Sequence, residues 1–99
     1  MFFLFYRKEK IEQLVAALGD AKELLLSNIE LPGYGMSAKA VLAVLDQELD
    51  NIKNGQKLDR NELYALFSIA QEWDDLTVQM NKDDGELASK IAVRIIDLL

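Results

Sequence analysis

The serine and threonine hydroxyls and the carboxylates of this chain are candidates for chemistry, but the sequence contains neither histidine nor cysteine. Those two residue types most often supply catalytic bases, thiol nucleophiles and transition-metal ligands near neutral pH. The hydroxyl side chains are Ser27, Ser37, Ser68, Thr77 and Ser89. None of the serines lies in a Gly-x-Ser-x-Gly elbow, and no imidazole is present to activate a hydroxyl. We therefore expect no nucleophilic catalysis.

Carboxylates are concentrated in three short runs: Asp46, Glu48 and Asp50, then Glu72, Asp74 and Asp75, and last Asp83, Asp84 and Glu86. Paired carboxyl groups can act as acid and base when burial separates their pKa values. On a helix, however, adjacent positions do not share a face, so most of these side chains would point to solvent. Asp74 is the exception, since it falls near an apolar stripe. We expect a solvated acidic surface, and we expect that the protein is not an enzyme.

Two glycine-containing stretches have a partial likeness to calcium-binding loops. Residues 50–61 place glycine sixth, but the third residue is the apolar Ile52 and the twelfth is Asn61, where a bidentate glutamate is needed. Residues 80–91 have lysine and isoleucine at the same two places. The Gly33-Tyr34-Gly35 loop is too short for a phosphate cradle and lacks the lysine that would follow one. We therefore expect no metal and no cofactor.

The net charge of −6 is unevenly distributed along the chain. Residues 1–45 contain five acidic and five basic residues, whereas residues 46–99 contain twelve acidic and six basic ones. An acidic surface repels phosphate backbones and anionic lipid, so nucleic acid is an unfavourable partner. The charge would attract a basic protein. The simpler alternative is that it only keeps the protein soluble.

The apolar residues recur every three or four positions, which predicts helices over about residues 7–30, 37–53, 59–80 and 83–98. Short connections between helices favour antiparallel neighbours. We therefore predict a single all-α domain over residues 1–99, an antiparallel bundle of four helices. A fifth helix would result if the first one breaks at Gly19-Asp20, because Asp20 and Glu23 match a capping box.

The last two predicted helices carry apolar residues outside a single stripe. The third has two stripes: Leu63, Leu66, Phe67 and Ala70, then Ile69, Trp73, Leu76 and Met80. Such a helix bends or packs against different neighbours along its length. In the fourth, Val93 and Ile96 lie beside the main stripe. That pattern favours central burial of the fourth helix, the alternative being contact with a second subunit.

The first six residues, Met-Phe-Phe-Leu-Phe-Tyr, form an apolar segment that is too short for a membrane span and lacks a basic region before it. We interpret it as part of a mature cytoplasmic protein without a membrane span. Three roles remain open. The segment could pack across the bundle and close one end of its core, pair with a second subunit as a homodimer, or bind another partner or a membrane surface.

These observations favour a non-enzymatic protein-binding module, a small acidic helical protein that docks on a basic protein, as inhibitors, immunity proteins and adaptors do. The residues proposed to contact the partner are Asp46, Asp50, Glu72, Asp75, Tyr34 and Tyr64. The alternative is a structural subunit that oligomerises through its Phe-rich N-terminus and C-terminal helix. The binding-module hypothesis predicts salt-sensitive capture of a basic protein. The subunit hypothesis predicts a stable dimer at micromolar concentration.

Overall fold

The computed structural model describes residues 2–28, 35–68 and 71–99. Within these ranges the chain forms five helices: α1 Phe2–Ser27, α2 Gly35–Lys53, α3 Arg60–Phe67, α4 Glu72–Thr77 and α5 Lys82–Leu98. The predicted all-α bundle is confirmed. The antiparallel order of its helices stays a prediction.

The first helix is longer at its start than predicted and does not break at Gly19-Asp20. It runs without interruption from Phe2 to Ser27. Glycine inside a helix costs only about 1 kcal/mol relative to alanine, and buried side chains on both sides of Gly19 keep the helix packed. Asp20 does not cap a new helix. Its carboxylate instead accepts a hydrogen bond from the Arg94 guanidinium of α5, at 2.6 Å.

The fifth helix arises at a different place, because the predicted third helix is divided into α3 and α4. Ser68 ends α3 in an extended conformation, with its backbone N–H donating to the Tyr64 carbonyl. The break allows both apolar stripes to face the core, since Leu66 and Phe67 of α3 and Trp73 and Leu76 of α4 are all buried. Where the sequence predicts a bend or a change of neighbours, the structure has a break between two helices.

From the sequence, Ser37, Asp59 and the pair Asp83 and Asp84 are predicted to cap the N-termini of the last three predicted helices. The structure confirms one of these caps and corrects the others. Asp59 caps α3 as predicted, since its carboxylate accepts from the Glu62 N–H at 3.0 Å. Gly55 follows α2 with a φ of 70°, as expected for a left-handed C-terminal turn. Helix α2 already begins at Gly35, two residues before the predicted cap. For α5 the cap is Asn81, whose side-chain oxygen accepts from the Asp84 N–H, and not Asp83 or Asp84.

All five helices contribute to one hydrophobic core. Its largest fully buried side chains are Leu18 and Leu25 of α1, Val41 and Leu45 of α2, Leu63 of α3, Trp73 of α4, and Ile91 and Ile95 of α5. The indole N–H of Trp73 donates to the Ala88 carbonyl at 3.0 Å, which satisfies its polar atom inside the core. The Trp73 ring also packs on Phe67, with ring centroids 5.0 Å apart.

Helix α5 packs against α1, α3 and α4. The prediction of central burial is only partly right, because one face of α5 stays open. Ile96 is half-buried, but 61% of Val93 is exposed. At the N-terminal end of α5, Asp84 accepts a hydrogen bond from the buried Asn28 side chain that follows α1. This bond and the Arg94–Asp20 pair fasten α5 to α1 at two levels.

Candidate interaction surfaces

Four of the carboxylates predicted to bind a partner are exposed on two neighbouring helices. Asp46 and Asp50 lie one turn apart on α2, and Glu72 and Asp75 lie on α4. Helices α2 and α4 pack against each other. We call these four residues the acidic surface. Asp46 also forms an ion pair with Lys22 of α1 at 2.6 Å, and both side chains remain partly exposed.

The acidic residues of α4 have a local structural effect as well. Glu72, Asp74 and Asp75 occupy its first turn, where the backbone N–H groups lack helical partners. Gln71 stands at the cap position without a side-chain hydrogen bond to the helix. Carboxylates near a helix N-terminus interact favourably with these N–H groups. Part of the acidic character of this run therefore stabilises a helix of only six residues.

Of the two tyrosines predicted to bind a partner, the structure describes only Tyr64. Tyr64 is exposed over 56% of its surface and lies on α3, which packs against α4. It therefore stands on the element next to the acidic surface, although not on α2 or α4 themselves. Tyr34 lies outside the described residues, so its role stays a prediction.

Most carboxylates of the 46–50 run are exposed as expected, but Glu48 is buried, an exception that the sequence analysis did not name. Only 2% of this residue is exposed, and its carboxylate accepts a hydrogen bond from the Asp59 backbone N–H at 2.9 Å. Glu48 thereby ties α2 to the residue that caps α3. The sequence contains the signal for this burial, since Glu48 follows Val41 and Leu45 at helical spacing on the apolar face of α2.

An open groove, which sequence reasoning did not predict, lies where the ends of several elements meet. It is lined by apolar side chains from α1, the end of α2, the α2–α3 connection and the end of α5: Ile11, Leu14, Ile52, Leu58, Leu98 and Leu99. Three basic side chains, Lys10, Lys57 and Arg60, and one acidic side chain, Asp59, also line it. We call it the end groove. Its volume is about 1140 Å³.

The stretch of α1 beside the end groove is not covered by other helices. All six side chains from Lys8 to Gln13 are exposed, and Leu14 is the first buried residue after them. Six consecutive exposed residues span more than one turn, so every face of the helix is open there. The side chains of residues 1–7 lie outside the described part, and the packing of the apolar segment 1–6 therefore stays a prediction.

Two further findings concern ligands and membranes. Across residues 2–28, 35–68 and 71–99, no three acidic side chains gather where they could hold a metal ion. No helix in that part of the chain combines the length and hydropathy that a membrane crossing requires.

No protein-family model, curated protein or solved structure matches this chain.

Proposed function

We propose that this protein is a non-enzymatic binding module whose acidic surface docks on a basic protein. The observation that supports the proposal is the exposure of Asp46, Asp50, Glu72 and Asp75 on two helices that pack together. Exposed carboxylates on neighbouring elements sum to a negative potential that attracts and orients a basic partner.

The charge balance around Glu72 and Asp75, the α4 part of the acidic surface, supports the same proposal. Residues 61–81, which include most of α3 and all of α4, contain four acidic residues and no lysine or arginine. Intervening cations would weaken the field of a carboxylate cluster, and this stretch supplies none. The exposed ring of Tyr64 adds an amphipathic group of the kind enriched at protein interfaces.

The two buried polar side chains of the described residues, Asn28 and Glu48, have hydrogen-bond partners within the protein. Asn28 donates to the Leu24 carbonyl and to Asp84, and Glu48 accepts from the Asp59 N–H. Each of these hydrogen bonds connects or ends a helix. Buried polar groups that are engaged in holding helices together support a binding role for the exposed surface.

The test compares capture of basic proteins from a host lysate by the wild type and by a neutralised variant. That variant carries Asp46→Asn, Asp50→Asn, Glu72→Gln and Asp75→Asn, which remove four charges with little change of shape. We expect it to lose the captured partner, and we expect wild-type capture to weaken steeply as salt is raised. Mass spectrometry identifies the partner, and titration of the purified partner then measures its affinity.

A second variant removes the same number of charges elsewhere and serves as the matched control. It carries Glu9→Gln, Glu12→Gln, Glu86→Gln and Asp97→Asn, all at exposed positions on α1 and α5. Circular dichroism and thermal melting verify that both variants fold, since Glu72 and Asp75 also stabilise the start of α4. Equal loss of capture by the two variants would show that net charge alone acts. Capture at the wild-type level by the neutralised variant would show that these carboxylates do not contribute. Either result would refute docking through the acidic surface.

A further inference from the structure

We infer that the end groove binds the N-terminal apolar segment of a second copy of this chain, so that two copies form a reciprocal dimer. Each copy would supply residues 2–6 to the groove of the other. The inference is independent of the acidic surface, because none of its four carboxylates lines the groove.

The helix geometry favours a second copy over folding back within one chain. Residues 2–6 belong to α1, which is a continuous helix through Ile11 and Leu14 at the groove. A helix rises about 1.5 Å per residue, so Phe2 lies roughly 13 Å along the axis from Ile11. The segment can reach its own groove only if α1 unwinds. It can reach the groove of another copy without any change of backbone.

The chemistry of the segment matches the groove. Residues 2–6 are three phenylalanines, a leucine and a tyrosine, without a charged side chain. The groove offers six apolar side chains, and its charged side chains, Lys10, Lys57, Asp59 and Arg60, are all exposed. Burial of the segment would therefore remove apolar surface from water without desolvating a charge on it.

The area available is sufficient for a stable dimer. Aromatic side chains bury about 150–250 Å² each, so half-burial of the four aromatics in a segment removes roughly 300–500 Å². Two segments and the matching groove surfaces together give about 1200–2000 Å², which is the usual size of a specific protein–protein interface. A cylinder of helix five residues long occupies roughly 600–850 Å³. The groove volume of about 1140 Å³ accommodates it.

Light scattering coupled to size-exclusion chromatography and sedimentation equilibrium test the dimer over a range of concentrations. We expect the wild type to show twice the 11.2 kDa mass of one chain at micromolar concentration. A chain lacking residues 2–6 removes the segment, and Ile11→Asp places a charge in the groove at a side chain that is 44% exposed. Both should weaken dimerisation at least about tenfold, which corresponds to ~1.4 kcal/mol.

A matched control and a mixing experiment separate this contact from other modes of association. Val93→Asp makes a comparable change at an exposed helical site outside the groove, and it should leave the dimer unchanged. The truncated chain has an intact groove, whereas the Ile11→Asp chain has an intact segment. Mixed together, they should form a one-to-one dimer with one of the two contacts, weaker than the wild type but stronger than either variant alone.

Several results would overturn the inference. Circular dichroism must first show that each variant retains its helical content. A wild type that stays monomeric at 100 µM would exclude the dimer. The same holds if the N-terminal segment of that monomer binds phosphatidylcholine vesicles instead. Persistence of the dimer in both the truncated chain and Ile11→Asp would assign the interface to another surface. Failure of the mixture to associate more tightly than its components would equally reject the segment-in-groove contact.

Discussion

At the scale of single residues, identical amino acids play different roles according to their backbone and surroundings. Gly19 lies inside α1, where an added Cβ atom would meet nothing within 4 Å. Gly55 follows α2 with a φ of 70°, a conformation that side chains of the L-configuration rarely adopt. The sequence indicates both glycines as places where a helix could end, but a helix ends only near Gly55.

We expect Gly19→Ala to stabilise the protein by about 0.5–1 kcal/mol, because alanine reduces the conformational freedom of the unfolded chain and fits the helix. Gly55→Ala should destabilise it by about 1–2 kcal/mol, since the left-handed conformation brings its Cβ atom too close to the following carbonyl oxygen. Urea denaturation followed by circular dichroism measures both. If Gly19→Ala is destabilising, α1 does not run straight through this position.

At the scale of elements, hydrogen bonds between neighbouring helices decide where the chain turns. Glu48 of α2 binds the backbone of Asp59, and Asp59 in turn caps α3. The loop between α2 and α3 is thus held at Asp59. Its N–H donates to the Glu48 carboxylate, and its own carboxylate accepts from the N–H of Glu62 in α3. The break between α3 and α4 has a different cause, because it allows Phe67 and Trp73 to pack on each other inside the core.

Removal of the Glu48 carboxylate is expected to destabilise the protein by about 1–3 kcal/mol in Glu48→Ala, because the Asp59 N–H loses its acceptor. Glu48→Gln retains a carbonyl oxygen at the same place and should cost less. Asp50→Ala, at an exposed position on the same helix, is the control and should change the free energy of unfolding little. An equal, small effect of all three substitutions would contradict the structural role of Glu48.

At the scale of the whole molecule, a single core joins all five helices found in the described ranges. Leu66 of α3 and Ile91 of α5 both belong to it, with 5% and 2% of their surfaces exposed. A chain of 99 residues with one core unfolds as one cooperative unit. The exposed Leu26 of α1, in contrast, contributes little to that core.

We therefore expect Leu66→Ala and Ile91→Ala each to cost about 2–5 kcal/mol, because each leaves a cavity among close-packed side chains. Leu26→Ala should stay within about 0.5 kcal/mol of the wild type. Urea titrations monitored by Trp73 fluorescence and by circular dichroism should give coincident transitions for all three. Separate transitions from the two probes would mean that the helices do not share one core.

The sequence by itself determined the helical class, some of the helix ends and part of the core face of each helix. These follow from local causes: apolar spacing, the Asp59 cap and the turn at Gly55 act within a few residues. The location of Trp73 near an apolar face was likewise predictable, although its complete burial was not. The exposure of the four carboxylates of the acidic surface also agrees with their helical positions.

Only the tertiary structure decided which helices are neighbours and which side chains they bring together. The continuity of α1 past Gly19 depends on packing against α2 and α5, and this packing outweighs a local preference of about 1 kcal/mol. The partner of Glu48 is eleven residues away, and the end groove combines residues 10 to 99. Such surfaces arise from contacts between residues distant in the chain, which periodicity and capping do not encode.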